Sequence, residues 1–282
     1  MRSNFSIFLT LFLLIGIVVS CTQDHHIPMQ YSQKGLKITG YQENPGVNTQ
    51  AWGTADVTYD KGTKKLSYTL NWNNLTGIPS GAHIHGVAAR GINAGVVHNF
   101  GAMIPAAVTG TYSGMVTVDE IAIKEADLLN GLYYFNFHTP TNPGGEIRGQ
   151  IEFYDPMKVI TKMDQPLNAA QEVPAGASTA TGLMDVVYNK TTKMLSLTVW
   201  YQGLTGTPTG AHIHGVAAAG VNAGVQVNMS TLIPMATMGA FSHTVLVDET
   251  AIKEADLLAG RYYVNIHTAM NPGGEIRGQI TF

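Results

Sequence analysis

Two short stretches hold the residues best suited to chemistry. Gly81-Ala82-His83-Ile84-His85-Gly86 sets two imidazoles two positions apart, and the same six residues return at Gly210 to Gly215 as His212 and His214. On a strand, successive side chains point to opposite faces, so His83 and His85 share one face and Ile84 takes the other. Two imidazoles on one face can close on a single metal ion, and imidazole suits copper and zinc. A lone His-x-His pair also serves as hydrogen-bonded surface residues, so more ligands are needed. In Leu132 to Thr139, Tyr133, Phe135 and Phe137 alternate with Tyr134, Asn136 and His138. That period turns the first set toward a core and His138 away from it, among polar neighbours. His98, 13 residues after His85, is a further candidate. The candidate metal ligands are thus His83, His85, His98 and His138, with His212, His214 and His267 in the second half. Three imidazoles leave one position of a four-coordinate ion open, as in a reactive site.

These residues belong to an internal repeat. His83 recurs as His212 and His138 as His267, an offset of 129 residues in both cases. That spacing is too long for a solenoid unit and is about one ordinary domain. In each copy the strands needed to position the histidines are legible. Leu66-Ser67-Tyr68-Thr69-Leu70-Asn71-Trp72 alternates strictly, after a polar turn at Asp60 to Lys65. Asp119 precedes Ile121 to Leu129, which reads as one short helix stopped by Asn130-Gly131. The expectation is an all-β chain of two tandem domains, each with one short helix. The boundaries are 36–154 and 165–282, with 155–164 as linker.

The copies also differ. Val227 stands where the first has His98, so the second copy holds at most three His ligands. Met229, Met235 and Met238 replace Phe100, Ala106 and Thr109; thioethers suit Cu(I) but more often fill apolar gaps. His243 replaces Gly114 and reads as a surface strand residue. Glu146 and Glu275 are expected to pair with nearby Arg148 and Arg277, worth about 0–1 kcal/mol if exposed.

The first 20 residues read as an export signal. Arg2 precedes the apolar run Phe5 to Val19, which at about 15 residues is short for a membrane span. Val18-Val19-Ser20-Cys21 resembles a bacterial lipobox, and Cys21 is the only cysteine. A lipid on Cys21 and a polar tether over 21–35 are expected, placing the protein on the bacterial cell envelope, at the outer membrane or cell surface. His25-His26 in the tether has no further ligands beside it. With one cysteine no disulfide can form within the chain, so each domain relies on its core. A net charge of −3 with no basic run excludes nucleic acid as a partner. Charged residues are 12%, about half the usual share, which suits an exported β protein. No feature names a protein partner.

Gly-Ala-His-Ile-His-Gly, followed by His-Thr-x-x-Asn-Pro-Gly-Gly-Glu-Ile-Arg-Gly-Gln-Ile, resembles the CHRD domain, a family named for chordin. The resemblance covers both repeats. It implies immunoglobulin-like Greek-key β-barrels or sandwiches, distantly similar to Cu/Zn superoxide dismutase, and fixes no activity. By that similarity His83 and His85 correspond to a copper-binding pair, His98 to the bridging histidine and His138 to the late copper ligand. Arg148 and Arg277 correspond to the arginine that guides superoxide. The zinc ligands and the disulfide have no counterpart. No Ser/His/Asp set, phosphate-cradling loop or paired catalytic carboxylates are present. The sequence therefore points to an exported, lipid-anchored protein binding a transition metal, copper ahead of zinc, and to binding rather than catalysis. A dismutase-like oxidoreductase and a non-catalytic structural or adhesive surface module are the alternatives.

Overall fold

The computed structural model describes residues Met29–Phe282. The export signal, the lipidation expected at Cys21 and the pair His25-His26 lie outside the described residues. Among the described residues no helix is long and apolar enough to cross a membrane.

The chain is all-β and folds as two tandem barrels. The first contains β1 (Gln30–Thr39), β2 (Trp52–Asp60), β3 (Lys65–Asn73), β4 (Gly81–Gly86), β5 (Val96–Asn99), β6 (Gly110–Thr117), α1 (Glu125–Leu129), β7 (Tyr133–His138) and β8 (Ile147–Ile151). The second repeats the plan as β9 (Val159–Asn168), β10 (Thr181–Asn189), β11 (Met194–Gln202), β12 (Pro208–Gly215), β13 (Val225–Asn228), β14 (Gly239–Leu246), α2 (Glu254–Leu258), β15 (Tyr262–Thr268) and β16 (Ile276–Ile280). Each domain is one eight-stranded sheet, ordered β5-β4-β7-β8-β1-β2-β3-β6 in the first and correspondingly in the second.

The alternation read in the sequence sets the curl of this sheet. Leu66, Tyr68, Leu70 and Trp72 of β3 are all buried, while the residues between them face outward. Phe135 and Phe137 of β7 face the same interior. Trp72 and Phe137 sit on strands separated by three others in the sheet, yet their rings are 5.2 Å apart. Tyr68 and Phe135 are 5.5 Å apart across the same gap. The sheet therefore folds over on itself, enclosing one aromatic and aliphatic core per domain. The Trp72 indole also donates to the Ala107 carbonyl at 2.9 Å, satisfying its buried N–H.

Three boundaries differ from expectation. The helix is shorter, because the Asp119 carboxylate accepts the backbone N–H groups of Ile121, Ala122 and Ile123 and holds a turn there. Only Glu125–Leu129 is helical. Strand β1 begins at Gln30, inside the expected tether, because Tyr31 pairs with Tyr59 along β2. Strand β9 begins at Val159, inside the expected linker, because it pairs with β10 out to Asn189. Residues 152–158, ending in a turn at 156–158, join β8 to β9.

If the curl rests on this cross-sheet packing, Trp72→Ala costs about 3–5 kcal/mol of stability. Urea unfolding of the two proteins measures it; a loss below about 1 kcal/mol would show that the contact contributes little.

Candidate metal centre

Pairing across β4, β7 and β8 builds the site. His83 lies opposite Asn136, His85 opposite Tyr134, and Gly81 opposite His138. His138 is therefore diagonal to His83, on the outward face that both histidines of β4 share. Gly81 leaves room for this: a Cβ there would stand 3.0 Å from Cε1 of His83. Gly210 does the same for His212, again at 3.0 Å.

The three rings converge in each domain. One ring nitrogen from each of His83, His85 and His138 lies within 4.8 Å of the others, and His212, His214 and His267 repeat the arrangement. Ring centroids in the first group are 4.9 to 5.8 Å apart. Two of the three rings have their outer nitrogen engaged. His85 Nδ1 donates to the Ala94 carbonyl at 2.9 Å and His138 Nδ1 to the Pro143 carbonyl at 3.0 Å. Because a carbonyl can only accept, both rings carry the proton on Nδ1 and present a bare Nε2. Nε2 of His85, Nε2 of His138 and Nδ1 of His83 are buried and have no partner among the described residues. The second domain repeats the two carbonyl bonds, with His214 on Ala223 at 2.9 Å and His267 on Pro272 at 3.1 Å, and leaves His214 Nε2 without a partner among the described residues. There His212 Nδ1 donates to His267 Nε2 at 3.0 Å, since the His267 proton is on Nδ1. Nitrogens held about 2.0–2.1 Å from one ion lie roughly 3–3.5 Å apart.

All these rings sit below the usual histidine range. Burial lowers His83 to about 4, helped by His138 and His85, and lowers His212 to about 4, helped by His267 and His214. Burial also lowers His85, His138, His214 and His267, against the carbonyl bonds that raise them. The imidazoles are neutral near pH 7, the form that ligates metal.

Beneath the rings lies a second buried layer that the sequence did not reveal. Tyr134 stacks on His85 with ring centroids 5.0 Å apart and 10° between planes. The Arg148 guanidinium lies 3.5 Å from the centroid of Tyr134. Arg277 and Tyr263 repeat this at 3.4 Å. Glu43 reaches in from the loop after β1, where Asn136 Nδ2 donates to its Oε2 at 3.4 Å. Gly145, at φ +131°, lets the layer close: a Cβ there would meet Glu43 Oε1 and Asn136 Oδ1, each at 2.6 Å. Both oxygens are buried without a partner. Two acceptors facing one spot call for a proton on Glu43. Consistently, burial raises Glu43 to about 8 despite the Arg148 charge, and raises Glu172 to about 7 despite Arg277.

His98 does not join the other three. It pairs with Ile84, whose side chain is in the core, so it faces inward against Phe100 at 5.4 Å. Both domains therefore hold three-His groups. Arg148 and Arg277 do not guide anions, for they are 0% and 1% exposed. Arg148 donates instead to the carbonyls of Ile92 and Ala89 and to Gln150. Nor does Glu146 pair with Arg148. It is buried and accepts from the hydroxyls of Thr49, Thr76 and Thr139 and from the Thr76 amide. Burial alone would raise it, but these donors hold it below the usual carboxylate range. Glu275 is bound alike by Ser178, Thr205 and Thr268. Met229 packs in the second core, and Met238 receives the Asn48 amide. His243 pairs with core Leu197 and so points inward, with Gly114 and Tyr68 as the first domain's equivalent pair. Sequence reading also missed Ser230, whose hydroxyl lies 3.3 Å from His212 Nε2; the first domain has Gly101 there.

The fold and the site define a pair of all-β barrels, each carrying a three-imidazole group compatible with a metal ion. The CHRD domain profile matches residues 36–151 and again residues 163–280. The chain belongs to the CHRD domain family, in two tandem copies. No curated protein and no solved structure matches it.

The buried Glu43 gives a pH signature. An unfolded glutamate releases its proton near 4.5, whereas the folded chain holds it until about 8. Stability is therefore lost as pH rises between those values, because only the unfolded state gains by ionising. Urea unfolding at pH 7 and pH 8.5 should show the wild type losing more stability than Glu43→Gln. Equal losses would mean that Glu43 is ionised when folded.

Proposed function

We propose that this is an exported, lipid-anchored protein that binds two copper ions, one per domain, through His83, His85 and His138 and through His212, His214 and His267. The observation that carries the proposal is the orphaned nitrogens. In the first domain three buried ring nitrogens converge with no partner, while their neighbours fix two of the rings. Buried polar groups without partners are few in folded proteins and ask for an explanation. Copper is favoured because imidazole suits it and it ranks highest among the common divalent metals; zinc is the alternative. A bound ion would keep a fourth position for water or a small ligand, the chemistry of a Lewis-acid or redox centre. The burial of Arg148 and Arg277 removes the guide that a dismutase-like enzyme would use, which favours binding over turnover. The lipobox-like run before Cys21 supports an anchor in the bacterial outer membrane or cell surface.

Elemental analysis of the purified, copper-loaded chain should give two ions per molecule. His83→Ala with His85→Ala should leave one, and adding His212→Ala with His214→Ala should leave none. Unchanged stoichiometry in the first variant would remove the site. For the anchor, Cys21→Ser should move the protein from the membrane fraction to the soluble one. Retention in membranes would refute lipid attachment at that residue.

A further inference from the structure

We infer that the second domain holds the site loop of the first in place, so that ion binding at His83, His85 and His138 depends on the contact between the domains. Binding at His212, His214 and His267 does not. This rests on the metal reading above and adds to it an asymmetry between the two sites.

The loop in question, 87–95, joins β4 to β5. It supplies the Ala94 carbonyl that fixes the His85 tautomer. It also supplies the Ala89 and Ile92 carbonyls that hold Arg148 under Tyr134, and so under His85. Its tip lies on the second domain. Arg90 is 6% exposed, and it grips Glu152 of its own domain through Nε and Nη2 at 2.9 and 2.8 Å. Its Nη1 donates across to Thr198 of β11 at 3.1 Å, and Thr244 of β14 donates back to the Arg90 carbonyl at 3.1 Å. Gly91 packs so closely that a Cβ would stand 2.2 Å from the Ser242 carbonyl oxygen. Beside it Gly46 meets Ala240, with a Cβ position 2.3 Å from its oxygen, and Tyr41 lies 5.6 Å from Trp200. Lys37 adds ion pairs to Asp164 and Asp185 at 2.8 and 3.3 Å.

The contact is not reproduced at the other end of either domain. The equivalent loop of the second domain has Ala219 in place of Arg90, and Ala219 is exposed. Ala170, Pro166 and Ala175 stand where the first domain has Tyr41, Lys37 and Gly46. The socket is one-sided too. Trp200, Ala240 and Thr244 correspond to Asn71, Thr111 and Met115 of the first domain, where Met115 is 64% exposed. Departures from the repeat thus cluster on the two halves of one heterologous contact, and they prevent it from propagating to a further copy. Among the described residues, only the first domain's loop is clamped from outside.

The test uses the full chain. In the background His212→Ala with His214→Ala only the first site remains. Adding Trp200→Asn and Thr244→Met puts into the socket the residues that the first domain itself carries in the same strand register. Copper affinity, read by competition with a chelator, should fall about 10-fold or more, as when an outer partner of a ligand is loosened. In the reciprocal background, His83→Ala with His85→Ala, the same pair should leave affinity within about 2-fold. An unchanged first site, or an equal fall at both, would overturn the inference. Hydrogen exchange at the Ala94 amide of the metal-free protein reads the loop without any ion, and should quicken in the Trp200→Asn, Thr244→Met chain. If neither background binds copper, the metal reading fails; if exchange at Ala94 is unchanged, the clamp fails whatever the metal result.

Discussion

The hydrogen bonds from His85 to Ala94 and from His138 to Pro143 are the constraint on which the three-imidazole site depends. Each spends the Nδ1 proton on a backbone carbonyl and leaves Nε2 bare. A histidine free to rotate could satisfy both nitrogens with water or with its neighbours. These two cannot, because loops on either side of the sheet hold their outer atoms. The price is a set of buried lone pairs without partners, each costing on the order of 1–3 kcal/mol. A group of that kind, gathered in the first domain from residues far apart in the chain, is what a ligand-binding centre requires. The same three histidines converge in the second domain, where His212 and His267 bond to each other and His214 Nε2 is left without a partner among the described residues.

The sheet face that carries the rings is largely covered on both sides, with His83 and His138 half-buried. Its inner face packs the aromatic core. Its outer face carries His83, His85, Tyr134, Asn136, Arg148 and Gln150, over which the loops 43–49 and 87–95 close. Two carboxylates solve opposite problems in this layer. Glu146 stays ionised because three threonine hydroxyls and an amide surround it, and it pins the loops that carry Thr49, Thr76 and Thr139. Glu43 has fewer donors and keeps its proton. Arg148 supplies a positive charge behind Tyr134, which adds to the depression of His85. Rigid support of this kind is what lets three side chains hold a fixed geometry at the surface of a β domain.

Much of the fold was legible because strand periodicity is a local signal. Leu66 to Trp72 and Tyr133 to His138 declared their inward and outward sets, and the shared face of His83, His85 and His138 followed from that alternation. His98 was misjudged because its role depends on register, not spacing: opposite Ile84 it must face the core, and a bulge before His85 sets that register. The burial of Arg148 could not be foreseen, because nothing in its own strand announces the loop that covers it. The carbonyls of Ala94 and Pro143 left no trace at all, since a backbone acceptor has no residue type. Glu43 and Glu172 did repeat in the sequence, but repetition does not disclose burial. Ser230 showed itself only as a departure from Gly101.

The two domains share one plan and diverge where they touch. Arg90, Trp200 and Thr244 serve the contact between them, while Tyr68 with Gly114 and Leu197 with His243 exchange bulk across equivalent strand pairs. The three histidines of each group did not diverge, although Ser230 stands beside His212 where the first domain has Gly101. X-ray absorption at the copper edge, on the protein loaded with two equivalents, tests the central claim most directly. Three imidazole nitrogens about 2.0 Å from each ion is the expected result. A first shell of oxygen alone, without the outer scattering of imidazole rings, would contradict it.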